Sequence, residues 1–219
     1  MNAPSTDSSR ADFLKKTNLY LIGMMGTGKT TIGRKLASRL GYRFIDTDAL
    51  IEQAAGQPVT SLFEQSGEAA FRALETQVLA QLSAHTRLVV ATGGGIVTQP
   101  MNWSYLRHGV VIWLDTPVAV LASRLAGDTS RPLLKDVDLT AKLTALLAER
   151  SDRYAQAHIC IPYEGRSIGK TCDRIIASLQ QRVRPDRQSV PRSVVSQSNI
   201  NQPSLSNRVI DFPTRPSEF

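Results

Sequence analysis

The sequence predicts an α/β fold of three layers, with helices covering both faces of a five-stranded parallel sheet. Three observations carry this. Five short, mostly apolar runs, at residues 18–22, 42–45, 88–91, 110–114 and 158–161, recur before about residue 181. Helix-like patterns fill the intervals between them. The first run leads into a glycine-rich turn and then a helix-like stretch, which is the βα unit of such sheets.

The first strand is Asn18-Leu19-Tyr20-Leu21-Ile22. The turn after it, Gly23-Met24-Met25-Gly26-Thr27-Gly28-Lys29-Thr30, fits G-x-x-x-x-G-K-[ST], the phosphate-binding P-loop. Glycines let the backbone curl so that successive N–H groups point at phosphate oxygens. The helix expected over residues 31–40 adds the positive end of its dipole. Gly26, Thr27, Gly28, Lys29, Thr30 and Thr31 are therefore candidates for binding a nucleoside triphosphate. Lys29 can reach the β- and γ-phosphates, and the Thr30 hydroxyl can ligate Mg²⁺.

Asp46 and Asp48 follow the second strand directly. Ligands of open parallel sheets sit beyond the carboxyl ends of the strands. One carboxylate can hold Mg²⁺, directly or through water, and the other can orient or deprotonate a substrate hydroxyl. Asp48 can equally cap a helix over residues 49–55. A longer helix is expected from about residue 67 to 83, with Phe71, Leu74, Val78 and Leu82 on one stripe. Thr92-Gly93-Gly94-Gly95 follows the third strand, and three glycines there let a ligand approach the backbone closely.

Arg131 lies in a polar stretch, about residues 127–138, between two helices. Such a segment could form a mobile lid that closes over ATP and brings an arginine to the transferring phosphoryl group. A helix over residues 139–157 carries Leu139, Leu143, Leu146, Leu147, Arg150 and Tyr154 on one face. Arg72 and Arg150 both sit among apolar neighbours and need an anionic partner, either an internal Asp or Glu or a substrate carboxylate.

Composition narrows the function classes. Hydrophobic residues make up 42% of the 219 residues, enough for an ordinary core. No apolar run approaches the length of a membrane span, and residues 1–16 are polar without an apolar core, so neither a membrane segment nor a secretory signal is expected. With only Cys160 and Cys172, reduced thiols and a cytoplasmic location are expected. Of the net charge of +7, the Ser-, Pro- and Arg-rich stretch 182–219 contributes +3, and no basic stripe with interleaved aromatics appears, so nucleic acid is not an expected partner. That stretch reads as a disordered tail, leaving a domain over residues 17–181. His85, His108 and His158 match no metal-ligand spacing.

Six motifs in order, G-M-M-G-T-G-K-T, F-I-D-T-D, F-R-x-x-E at Phe71 to Glu75, G-G-G, R-P-L-L and E-R-x-x-x-Y at Glu149 to Tyr154, resemble the shikimate kinase family. The resemblance covers roughly residues 18–181. It implies a P-loop kinase fold with strand order 2-3-1-4-5 and transfer of the γ-phosphoryl of ATP to the 3-hydroxyl of shikimate. By position it implies Lys29 on the phosphates, Thr30 and Asp46 at Mg²⁺, and Asp48 on the substrate hydroxyls as candidate base. It also implies Arg72 and Arg150 on the shikimate carboxylate, with backbone contacts from Gly93, Gly94 and Gly95. Arg131 becomes the lid arginine, and Arg124 the arginine that stacks on adenine. Arg166 is a further candidate adenine contact, in a stretch that departs from the Asn-Pro turn of many family members. The expected working unit is a monomer with ATP and shikimate as its partners. A gluconate kinase of the same fold is the nearest alternative, and the guanine-reading Asn-Lys-x-Asp of a GTPase is absent.

Overall fold

The computed structural model describes residues 12–127 and 138–183. The expected lid with Arg131, the first residues of the N-terminal segment and nearly all of the expected tail lie outside the described residues.

The strands are β1 (Leu19–Ile22), β2 (Arg43–Asp46), β3 (Leu88–Ala91), β4 (Val110–Asp115) and β5 (Ile159–Pro162). They form one parallel sheet in the order β2-β3-β1-β4-β5, as expected. The helices are α1 (Lys29–Leu40), α2 (Thr47–Ala55), α3 (Val59–Ser83), α4 (Pro100–Leu106), α5 (Val118–Leu125), α6 (Leu139–Tyr154) and α7 (Ile168–Val183). β1 is buried at every position. Leu19 and Leu21 point into one core with Leu36 and Leu40 of α1 and Ile175 and Leu179 of α7. Tyr20 and Ile22 point into the other, with Val78 and Leu82 of α3, Leu121 of α5 and Leu143 of α6. The period-two alternation of a strand thus feeds two cores, and the sheet is covered on both faces.

Local chemistry places the boundaries. α2 begins two residues before the expected start. Asp46 caps it, its Oδ1 accepting from the Asp48 N–H at 3.1 Å, so Asp48 lies inside the first turn and is not the cap. α3 starts well before residue 67. Gly67, at φ 77° and ψ 170°, breaks the helical path between its two parts. The expected helix is the second of these parts, and the stretch from Val59 precedes it. α6 ends at Tyr154, three residues short of the expected end, and α7 runs two residues into the expected tail. Cys160 and Cys172 are both free thiols. Among the described residues no helix is long and apolar enough to cross a membrane.

Candidate active site

The turn between β1 and α1 is held open by its glycines. Gly28 sits at φ 91° as the N-cap of α1, a left-handed conformation that other residues adopt only with strain. Gly23, at φ 139°, leaves no room for a side chain, because a Cβ would stand 2.6 Å from the Leu114 carbonyl oxygen. Lys29 is buried, and its Nζ donates to the carbonyls of Gly23 at 2.9 Å and Met24 at 2.8 Å. Its ammonium group therefore lies within the curl of the loop, where a polyphosphate would be cradled.

Thr30 and Asp46, sixteen residues apart, are brought together at the mouth of this loop. The Thr30 hydroxyl donates to Asp46 Oδ2 at 2.7 Å. A hydroxyl and a carboxylate are hard oxygen donors. They fit Mg²⁺, which is bound through one or two protein oxygens plus water and phosphate rather than in an all-protein cage. Among the described residues no cluster of three His, Cys, Asp or Glu offers a different metal site.

On one side of the loop lies a cavity of about 300 Å³, lined among others by Thr27, Thr31, Thr116, Arg124, Tyr163 and Arg166. Arg124 donates from Nη1 to the Gly26 carbonyl at 2.9 Å, and its guanidinium lies 5.0 Å from the centre of the Tyr163 ring. A planar cation beside an aromatic ring suits a flat heterocycle. Arg166 reaches this cavity, paired to Glu164, which also engages Arg174. Tyr163 and Arg174 are additions to the expected set. Neither belongs to a motif with a fixed spacing.

The other side is built from α3, α6 and the turn after β3. Arg72 is buried, but its charge already has partners. Nη1 donates to Glu75 Oε2 at 2.6 Å, while Nη2 and Nε reach Glu68 Oε1 at 2.8 and 3.2 Å. Burial opposes the Arg72 charge, but Glu75 and Glu68 outweigh it and raise its pKa. For Glu75, which is fully buried, desolvation wins over Arg72, and its carboxyl is pushed up to about 7. Its second oxygen, Oε1, has no hydrogen-bond partner among the described residues. Of the two partners open to Arg72 from the sequence, the structure thus supplies the internal acid. Glu75 stands in the F-R-x-x-E letters without an assigned role. The signal that reveals it is the three-residue spacing, which puts it on the same helix face as Arg72.

Arg150 is buried on α6 and donates from Nη1 to the Gly94 carbonyl at 3.3 Å, while its Nε has no hydrogen-bond partner among the described residues. Tyr154, one turn on, donates its hydroxyl to the same carbonyl at 2.7 Å. The glycines leave space for these groups. A Cβ on Gly93 would stand 2.3 Å from Glu75 Oε1 and 2.9 Å from Asp48 Oδ1. One on Gly95 would stand within 2.5 Å of three guanidinium atoms of Arg72. The structure therefore gathers Asp48, Arg72, Gly93, Gly94, Gly95 and Arg150 around one turn, while Arg131 lies outside the described residues. The N–H groups of Gly94 and Gly95 donate to no acceptor among the described residues. Two N–H donors beside buried guanidinium groups make a place for an anion.

Comparison with known proteins gives the family. The family model described as Shikimate kinase matches residues 25–180. A shikimate kinase of Microcystis aeruginosa is 54% identical over 155 residues, 71% of this chain and 82% of the relative. One from Thermosynechococcus vestitus is 53% identical over 169 residues, 77% and 92% of the two chains. Among solved structures, shikimate kinase from Acinetobacter baumannii in complex with shikimate superposes with a TM-score of 0.76 at 38% identity, covering 79% of this chain and 98% of that one. The P-loop from Met25 onward, a magnesium-compatible hydroxyl–carboxylate pair and an arginine-lined glycine turn lie within the matched span, and the chain belongs to the shikimate kinase family.

Proposed function

We propose that this chain transfers the γ-phosphoryl of ATP to the 3-hydroxyl of shikimate, with the P-loop as donor site and the turn of Gly93 to Gly95 as acceptor site. The observation that carries this is the juxtaposition of the two. A Cβ on Gly94 would stand 3.4 Å from the Met25 N–H nitrogen, so the acceptor turn touches the phosphate loop itself.

The acceptor is an anionic polyol. Its carboxylate would be held by Arg150 and by Arg72, which can exchange the half-exposed Glu68 for the substrate while keeping Glu75. The N–H groups of Gly94 and Gly95 would add two further donors. An ionised Asp48 would accept from the substrate hydroxyls and align the one that attacks. Lys29 would move from the loop carbonyls to the phosphate oxygens and compensate charge as it spreads in the transition state. Thr30 and Asp46 would hold Mg²⁺, which when bound neutralises charge on the phosphate oxygens. Arg124 with Tyr163 would hold the adenine, with Thr31 and Arg166 at the rim of the same cavity. Arg131, carried by the expected lid, would meet the transferring group. The working unit is taken as a monomer.

The test is ADP release from Mg·ATP with shikimate, with gluconate and nucleoside monophosphates in parallel. Turnover with shikimate alone, lost in Lys29→Met, is the expected result. Turnover with gluconate in its place, or a Lys29→Met enzyme of near-normal kcat, would overturn the scheme.

A further inference from the structure

The E-R-x-x-x-Y letters place a tyrosine one turn after Arg150, and the mechanism above leaves it without work. Tyr154 is fully buried, and its ring stacks on Trp113 with centroids 5.7 Å apart and planes 17° from parallel. Its hydroxyl donates to the Gly94 carbonyl at 2.7 Å, with the Arg150 guanidinium beside it. Arg150 reaches the same oxygen more loosely, at 3.3 Å. Burial pushes the phenol up to about 12, so the hydroxyl stays a donor across the working pH range.

That bond controls more than a carbonyl. The peptide between Gly94 and Gly95 is trans and planar, so its C=O and N–H point in opposite directions. Turning the Gly94 oxygen toward α6 therefore turns the Gly95 N–H away from it. The neighbouring peptides of the turn are fixed separately, Gly93 N–H on Thr47 Oγ1 at 2.9 Å and Gly95 O by Thr98. Three successive glycines have no side chains to hold the peptide between those anchors, and without an external bond it could flip. The same oxygen is the meeting point of Arg150, so one hydroxyl sets both the direction of an amide donor and the register of a guanidinium.

We propose that Tyr154 is a positioning residue for the anionic acceptor, acting through the Gly94 carbonyl on the Gly95 N–H and on Arg150. This rests on the reading that Gly94, Gly95 and Arg150 face the acceptor.

The experiment compares Tyr154→Phe, which keeps the ring and its stack on Trp113, with Arg150→Ala and with Leu179→Ala. Leu179 lies in the core on the opposite face of the sheet. Losing one buried hydrogen bond predicts a rise of about fivefold to tenfold in the KM for shikimate in Tyr154→Phe. Its kcat and its KM for ATP should stay within twofold of the parent. Leu179→Ala should lower the melting temperature at least as far without raising the KM for shikimate, which separates positioning from general loosening. A Tyr154→Phe enzyme with an unchanged KM for shikimate, while Arg150→Ala raises it, would overturn the positioning role and leave the pocket intact. An equal rise in both substrate KM values would overturn it as well. No effect on the KM for shikimate from either Tyr154→Phe or Arg150→Ala would overturn the pocket reading, and the positioning role with it.

Discussion

Gly93→Ala is the smallest change that should disable acceptor binding. The residue does not have a positive φ, so alanine meets no backbone strain. What it meets is two carboxylates. The new methyl would stand 2.3 Å from Glu75 Oε1, and ordinary contact requires that oxygen to retreat by about 1 Å. Asp48 Oδ1, at 2.9 Å, must give by about half as much. The backbone cannot yield instead, because Gly93 donates to Thr47 Oγ1 at 2.9 Å and accepts from the Ile96 N–H at 3.2 Å. Glu75 is fully buried and tied to Arg72 at 2.6 Å, so displacing it drags the arginine. Overpacking of this kind costs about 1–3 kcal/mol of stability. A shift of about 1 Å in groups that align a reactant costs up to about a hundredfold in rate. The expected result is a fall in kcat/KM for shikimate of roughly tenfold to a hundredfold, with the KM for ATP within twofold, measured by coupled ADP release. Gly169→Ala is the control. It lies in α7, where the nearest atom to a new Cβ is Arg39 Nη2 at 3.5 Å, and alanine there should gain up to about 1 kcal/mol by helix propensity. A Gly93→Ala enzyme with kcat/KM for shikimate within twofold of the parent would refute the crowding argument.

Three further outcomes follow from the same geometry. Arg150→Ala should raise the KM for shikimate by about tenfold to a hundredfold, the worth of a charged hydrogen bond, and an unchanged value would remove it from the pocket. Asp48→Asn should lower kcat by about 10²-fold or more through loss of the acceptor of the hydroxyl proton, and a full-rate enzyme would contradict that role. Glu75, raised from 4.5 to about 7, keeps its proton in the folded chain over a range where the unfolded chain has lost it. Its contribution to stability is therefore full below about 4.5 and falls as pH rises toward about 7. The stability of the parent relative to Glu75→Gln should decline across that window by on the order of 1 kcal/mol per pH unit. Denaturant melts at several pH values would show it, and a flat difference would contradict it.

The five strands were legible because β1, β3 and β4 are apolar almost throughout, the mark of burial on both faces. The donor loop was legible because its chemistry dictates glycines, a lysine and a threonine at fixed spacing. Helix starts were less so. A cap depends on the φ and ψ of one residue, and either Asp46 or Asp48 could have supplied it. α4 is too short for a periodic signal, and the part of α3 before Gly67 carries its stripe, Val59, Leu62 and Phe63, over little more than one turn. Arg72 shows the deeper difficulty. A buried arginine announces that it needs an acid, but not whether the chain supplies one, because Glu68 and Glu75 are polar letters like any others on a helix. Spacing puts Glu75 on the helix face of Arg72 and Tyr154 on that of Arg150, but the letters alone do not say which group each one holds.

The order of the strands has a consequence for how this architecture can change. β1, which carries the phosphate loop, lies in the middle of the sheet. Asp48 and Gly93 to Gly95 hang from β2 and β3 on one side, whereas Thr116 and Tyr163 hang from β4 and β5 on the other. Apart from Arg150 and Tyr154, the residues assigned to the acceptor fall in a single stretch between β2 and α4, which contributes nothing to the nucleotide cavity. A different alcohol could be accommodated by rewriting that stretch and one turn of α6, with the machinery for ATP left untouched.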